Sequence, residues 1–311
     1  MKKRLLTLFL MLLCLVGCAG QRNEDITKTG AYTFEDDLGR TISIDKPERV
    51  AALTGSFADI WCLAGGEETL VAAAGDSWTS FNLPLSEHVV NLGAIKTPDL
   101  ELLLAAAPDL VLVSSNTAAQ LALLEPLEQA GLTVACFNVT NFGEYLRMLE
   151  ICTGLTGDGE AYTRYGLDLQ TQIDAACTRA DGSAPTVLYI RATGSSCKVK
   201  NSRDTVLGEM LADLGCINIA DSESGLLEQL SLEKIISADP DYIFAVLQGA
   251  DSAAAQKTLE ANLLSNAAWQ SLTAVKEGRF HVLEHRLYNL KPNARWGEAY
   301  EKLANILYPA Q

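Results

Sequence analysis

From Val50 onward the chain alternates two kinds of pattern. Short runs rich in Val, Leu, Ile and Ala, at 50–53, 70–74, 109–113, 132–137, 186–190, 241–247 and 280–283, are separated by stretches with helical spacing of apolar residues. Runs of that length without polar alternation predict strands buried on both faces, and their alternation with helices predicts parallel sheets. Ahead of them, Tyr32 to Ile44 alternates apolar and polar residues on both sides of a turn containing Gly39, which predicts a hairpin.

One stretch occurs twice. Asp99-Leu-Glu-Leu-Leu-Leu-Ala-Ala-Ala-Pro-Asp-Leu-Val-Leu-Val113 is echoed by Ser231-Leu-Glu-Lys-Ile-Ile-Ser-Ala-Asp-Pro-Asp-Tyr-Ile-Phe-Ala245 at a constant offset of 132 residues. Each copy predicts a capped helix, a stop at Pro-Asp and a strand, so two lobes share one plan. Between them, Phe142–Leu155 and Asp158–Thr178 have helical periodicity broken at Gly154 and Gly157. The second segment would reach roughly 32 Å, enough to join two lobes as a stiff strut and to limit their closure. The expected fold class is therefore α/β: two Rossmann-like lobes with mostly parallel sheets joined by a long interdomain helix. The lobes are placed at 32–157 and 181–311, with the helix at 158–180.

The amino terminus reads differently. Lys2, Lys3 and Arg4 precede the apolar run Leu5–Val16, which only Thr7 interrupts; this is the pattern of a signal peptide, expected at 1–17. Leu15-Val16-Gly17-Cys18 resembles a bacterial lipobox, which implies cleavage before Cys18 and acylation of its sulfur; the alternative is a secreted protein cleaved near Ala19-Gly20. Residues 18–31 lack apolar periodicity and read as a flexible, lipid-anchored tether. The expected location is the outer face of the cell membrane or its periplasmic side.

Charge narrows the partners. The chain carries 24 Lys+Arg against 39 Asp+Glu, a net charge of −15; losing residues 1–17 removes three basic residues and no acidic ones, leaving −18. Such a chain is repelled by nucleic acid and by an anionic leaflet, so contact with the membrane is expected through the anchor alone. Beyond Cys14 and Cys18, six cysteines remain at 62, 136, 152, 177, 197 and 216, none spaced C-x-x-C. Their apolar surroundings favour free thiols over disulfides.

These features together resemble the substrate-binding lipoproteins of bacterial ABC importers for iron–siderophore, haem and cobalamin, the group with a helical interdomain backbone. The resemblance covers nearly all of 32–309. It is carried by Asp37-Leu-Gly-Arg40, Lys46-Pro-Glu-Arg-Val50, Leu92-Gly93, the two Leu-Glu…Pro-Asp units, Gly208-x-x-Leu211 with Gly215, and Arg295-Trp296. It implies a monomer that captures a small-molecule metal chelate, with no cofactor and no chemistry of its own, and delivers it to a permease dimer driven by separate ATPase subunits. Ferric siderophore is the first expectation, with cobalamin or haem as alternatives. It also implies that Glu101 and Glu233 dock into Arg-containing pockets of the permease. A carboxylate at either place would complement its helix dipole by about 0.3–1 kcal/mol; its recurrence in both lobes is what favours docking.

Ligands of parallel α/β sheets sit beyond the carboxyl ends of the strands. The loops expected there hold Ser56, Trp78, Asn116, Arg191, Lys198, His285, Arg286, Tyr288 and Lys291, with Arg295 just beyond. Aromatic faces suit a macrocycle or catechol, and cations suit carboxylate or catecholate oxygens. No direct metal site is expected, since the only histidines are His88, His281 and His285; His285 or Tyr288 would ligate metal only if the ligand were haem.

An enzyme reading of another class rests on Ser195-Ser-Cys-Lys198 and Ser231-Leu-Glu-Lys234, which match the S-x-x-K of serine β-lactamases, and on Lys28-Thr29-Gly30. That triplet precedes both serines, S-D-N is missing, and Ser231 is better placed as a helix cap. The sequence also lacks H-E-x-x-H, G-x-S-x-G and G-x-x-x-x-G-K-[ST].

Overall fold

The apolar runs become the strands of two separate sheets. The computed structural model describes residues 30–228, 230–249 and 251–309. The leader, Cys18 and the tether before Gly30 lie outside the described residues. The hairpin forms as β1 (Tyr32–Glu35) and β2 (Thr41–Ile44), paired antiparallel. After it come β3 (Val50–Ala52), β4 (Leu70–Ala73), β5 (Val90–Asn91), the two-residue ribbon β6 (Gly93–Ala94) and β7 (Thr97–Pro98), then β8 (Leu110–Ser114) and β9 (Thr133–Phe137). The first sheet has the order β5-β4-β3-β8-β9, parallel throughout. The chain winds outward from β3 in one direction and then, through β8, in the other, so the order reverses between β3 and β8.

The second sheet is built from β10 (Thr186–Ala192), β11 (Cys197–Lys200), β12 (Ile217–Asn218), β13 (Tyr242–Leu247) and β14 (Phe280–Leu283). Its order is β11-β10-β13-β14, with β12 also paired to β10. All its pairings are parallel except β10 with β11. The repeated segments occupy matching places: the helix Leu100–Ala105, capped by the Asp99 carboxylate, leads into β8, and the helix Leu232–Ala238, capped by the Ser231 hydroxyl, leads into β13. Both strands are interior to their sheets.

Two helical stretches connect the sheets. The helix Phe142–Thr156 starts under Asn141, whose side chain accepts from Glu144 N, and stops at Gly157 in the left-handed region. A second helical run, Gly159–Cys177, follows under Asp158. It is not the uniform strut the periodicity predicts, because Thr163–Leu167 forms a wide π turn. There Gly166 leaves room for Leu146, which an added Cβ would meet at 2.8 Å, and the Tyr145 hydroxyl donates to Tyr165 O at 2.9 Å. The last helix, Trp296–Leu307, packs along Asp168–Cys177. One apolar cluster runs through all of this, from Val50 and Phe57 through Tyr145, Trp296 and Tyr300 to Tyr189 and Phe244, so the sheets share a core. No helix among the described residues is long and apolar enough to cross a membrane. The six described cysteines are free, and burial pushes the thiols of Cys62, Cys152 and Cys216 up to about 12, which makes them inert.

A buried carboxylate clamps the hairpin to the first sheet. Asp36, 1% exposed, accepts from Leu38 N, Arg40 N, the Arg40 guanidinium and Cys136 N. Burial by itself would raise its pKa, but the Arg40 and Cys136 hydrogen bonds and the Arg40 charge outweigh that and hold it low. Its contribution is therefore complete above the ordinary carboxylate range of about 4 and is lost as pH falls through the lowered folded value. Asp36→Asn should cost about 3 kcal/mol at neutral pH and flatten the loss of stability on acidification. Urea unfolding at neutral and acid pH checks this; an unchanged acid limb would remove Asp36 from the account.

Candidate functional site

In parallel sheets the strand ends open a crevice where the strand order reverses, here between β3 and β8. After β3, Thr54 caps the helix Gly55–Leu63 by accepting from Phe57 N, so Ser56 lies in the first turn of a helix, where the sequence predicts a loop. Asp76, just beyond β4, accepts from Gly55 N at 2.8 Å. The packing there is close: an added Cβ on Gly55 would meet Ser77 N at 2.7 Å and Phe81 at 2.8 Å, which requires glycine. After β8, the buried Gln120 accepts from Ser114 N and donates to Leu53 O and Ile95 O, binding the two strand ends together. Asn116 donates to Asn138, which donates to Glu144; the other Glu144 oxygen accepts from Thr140 N and Oγ1. Of these, Asp76, Ser114 and Asn116 line a cavity of about 260 Å³ with Thr54, Ser56, Phe57, Phe81, Thr117 and Val139.

The remaining wall comes from the far end of the chain. The segment following β14 turns back onto the helix Gly55–Leu63: the Arg286 guanidinium donates to Phe81 O at 3.0 Å, and Asn293 Nδ2 donates to Ser56 O at 3.0 Å and Asp59 Oδ2 at 2.7 Å. Asn293 is fully buried with a φ of 51°, a conformation that asparagine tolerates better than most residues. This crossing brings Asn289, Leu290 and Lys291 into the cavity. Burial, and then the nearby Arg191 charge, lower the Lys291 pKa, while Glu144 and Asp76 oppose the shift. Burial likewise raises Asp59 and Asp76. A second hollow of about 180 Å³, lined by Asp59, Arg286, Pro292, Ala294 and Arg295, shares Phe81, Leu290 and Lys291 with the first. A larger one of about 720 Å³ lies at the opposite, amino ends of β3, β4 and β5, where Arg49 is committed to the carbonyls of Ala106 and Ala107.

Two α/β lobes that contribute opposite walls to one crevice form a receptor architecture, and the family model described as a periplasmic binding protein matches residues 50–287. The chain belongs to the periplasmic binding protein family. Solved structures of similar fold include the periplasmic haem-binding protein RhuT from Roseiflexus sp. RS-1 in apo form, at 21% identity over 84% of this chain and 98% of that one, with a TM-score of 0.66. Staphylococcus aureus SirA complexed with staphyloferrin B matches at 21% identity over 89% of this chain and 97% of that one, TM-score 0.67. The periplasmic vitamin B12 binding protein BtuF of Vibrio cholerae matches at 20% identity over 84% and 97%, TM-score 0.67. At these identities the likeness is one of fold. No curated protein sequence matches the chain.

In this periplasmic binding protein, Ser56, Asn116 and Lys291 line the cavity at the β3–β8 crossover, while Arg286 and Arg295 border the smaller hollow beside it. Arg191 stands at the end of β10, its guanidinium donating to the Tyr189 hydroxyl and lying 5.8 Å from that ring. Lys198 is not in a loop; it sits on the edge strand β11, directly opposite Arg191. Trp78 lines neither cavity, because the short helix Asp76–Thr79 turns it, half-buried, against the main core. Arg295 is largely committed elsewhere, bonding both Glu298 oxygens and Glu284. Tyr288 is a correction: it is 2% exposed and its hydroxyl donates to Ala299 O at 3.0 Å, so it faces the core and lines neither cavity. His285 sits half-buried with Nδ1 against Leu247 O at 2.7 Å, leaving Nε2 without a hydrogen-bond partner among the described residues.

Glu101 and Glu233 are exposed in the first turns of their helices, and neither forms an ion pair among the described residues. The serines of the two S-x-x-K matches are occupied otherwise. Ser231 accepts from Lys234 N, and Ser195 pairs with Thr193 in an exposed turn. Sequence reasoning missed Asp76, Gln120 and Asn293. A polar residue just past an apolar run is the one local signal that could have pointed to Asp76.

Proposed function

We propose that the chain is the extracytoplasmic receptor of an ABC importer, capturing a metal chelate, with ferric siderophore as the first choice, and releasing it to a permease. The carrying observation is the crevice at the crossover of β3 and β8, closed by Lys291 and its neighbours from the other end of the chain. In this reading the lobes of residues 32–157 and 181–311 close on the ligand about the helical connection at 158–180. The leader 1–17 is removed, Cys18 carries the lipid anchor, and Glu101 and Glu233 meet the permease. Family membership and the similar fold of proteins named for haem, staphyloferrin B and vitamin B12 support a chelate as cargo.

Haem is a second reading favoured by one observation: His285 donates from Nδ1 to a backbone carbonyl, an arrangement that presents Nε2 to iron. Thermal shift against ferric siderophores, haem and cobalamin tests both. A true ligand at 100-fold its Kd should stabilise the protein by about 2.7 kcal/mol. A Soret band lost in His285→Ala would select haem, and a panel without any shift would overturn the receptor reading.

A further inference from the structure

The register of one hairpin gathers positive charge that the fold does not use. In β10 and β11, Arg191 lies directly opposite Lys198 and Tyr189 opposite Lys200, so all four side chains share one face of the second sheet. Like charges facing each other across a ladder destabilise it. Lys291 adds a fourth cation from the crossing segment: it lines the cavity and feels the Arg191 charge. Lys200 in turn is shifted down by burial and then by Arg191 and Lys198, as expected of cations sharing one face of the hairpin.

The chain has abundant carboxylates for neutralising them and uses those elsewhere. Lys234, Arg279 and Lys302 are paired with Glu223, Glu277 and Glu298, whereas Arg191, Lys198, Lys200 and Lys291 form no ion pair among the described residues. The two carboxylates nearest Lys291 are engaged: Glu144 by Thr140 and Asn138, and Asp76 by Gly55 N. Four cations against Glu144, Asp76 and, in the adjoining hollow, Asp59 leave an excess of positive charge here in a chain whose net charge is −15. The cavity wall is mixed: hydroxyls and amides of Thr54, Ser56, Asn116 and Thr117 alternate with Ile95, Val139 and Leu290, and Phe57 and Phe81 are the aromatic residues among its described lining. Such a wall offers hydrogen bonds to the polar arms of a ligand and two phenyl rings to its apolar parts.

Resting on the receptor reading above, we propose that the crevice selects an anionic ferric hydroxycarboxylate, whose carboxylate arms are received by Arg191, Lys198, Lys200 and Lys291. Arg191 supplies the planar fork suited to one carboxylate, and the lysines supply point charges around it.

Isothermal titration of the purified mature protein with ferric citrate tests this, with a cationic ferric trihydroxamate, haemin and cyanocobalamin titrated alongside. Ferric citrate should bind, and raising NaCl from about 0.05 M to about 0.5 M should weaken it roughly tenfold. Arg191→Gln and Lys291→Gln should each weaken it about tenfold or more. Lys198→Gln, on an exposed edge, should weaken it without disturbing the fold, and the salt series needs no variant. Binding that ignores salt and all three substitutions overturns the proposal. So does binding of the trihydroxamate, haemin or cyanocobalamin in place of ferric citrate, which leaves the receptor reading standing. Failure of all four chelates to bind sinks both.

Discussion

Trp296→Ala should lower the unfolding free energy by about 3–5 kcal/mol, the largest single effect expected in this chain. Trp296 is fully buried at the start of the last helix, and its ring lies 6.0 Å from Phe142, 6.2 Å from Tyr145 and 6.4 Å from Tyr300. Those partners belong to the first interlobe helix and the last helix, so the indole fills the joint at which the helical connection meets both sheets. The surrounding rings cannot collapse into the void without moving that connection, which puts the cost at the upper end of core truncations. The indole N–H has no hydrogen-bond partner among the described residues, so Trp296→Phe forfeits only volume and should cost about half as much. Urea unfolding, followed by a probe in each lobe, measures both. A loss below about 1 kcal/mol, or two lobes melting separately in the wild type, would contradict a shared core.

Glu101→Gln combined with Glu233→Gln should abolish ligand uptake by cells while leaving affinity in solution within about twofold of the wild type. Both carboxylates project from exposed first turns, one on each lobe and outside both cavities. Losing the helix-dipole term costs at most about 1 kcal/mol per site, too little to unfold the protein. A purely local role would therefore appear as slightly reduced stability with uptake intact. Measured uptake near the wild-type level in the double variant would end the docking assignment, and a large loss of affinity would move these residues into the binding machinery.

The strands were legible because each is a local event: a run such as Leu110–Val113 is apolar at successive positions and so must be covered on both faces. The caps were legible for the same reason, since Asp99 and Ser231 bond to backbone three residues away. The repeat at 132 residues followed from these and required no tertiary information. Errors began where a side chain's direction depends on a distant partner. The sequence places Tyr288 among ligand groups because it follows β14, yet the last helix supplies Ala299 O and turns the ring inward. The loop expected at Gly55–Phe57 is a helix start because Thr54 and Asp76 satisfy its first amides.

Periodicity, capping and spacing thus determined an α/β chain with a duplicated plan and a helical connection, all properties of residues close together along the chain. Tertiary structure alone decided that Asn293 would reach Ser56, 237 positions away, and seat Lys291 beside Asp76 and Arg191. A crevice is a relation between surfaces from opposite ends of the chain, and its charge balance exists only once packing has paired some groups and left others facing the opening.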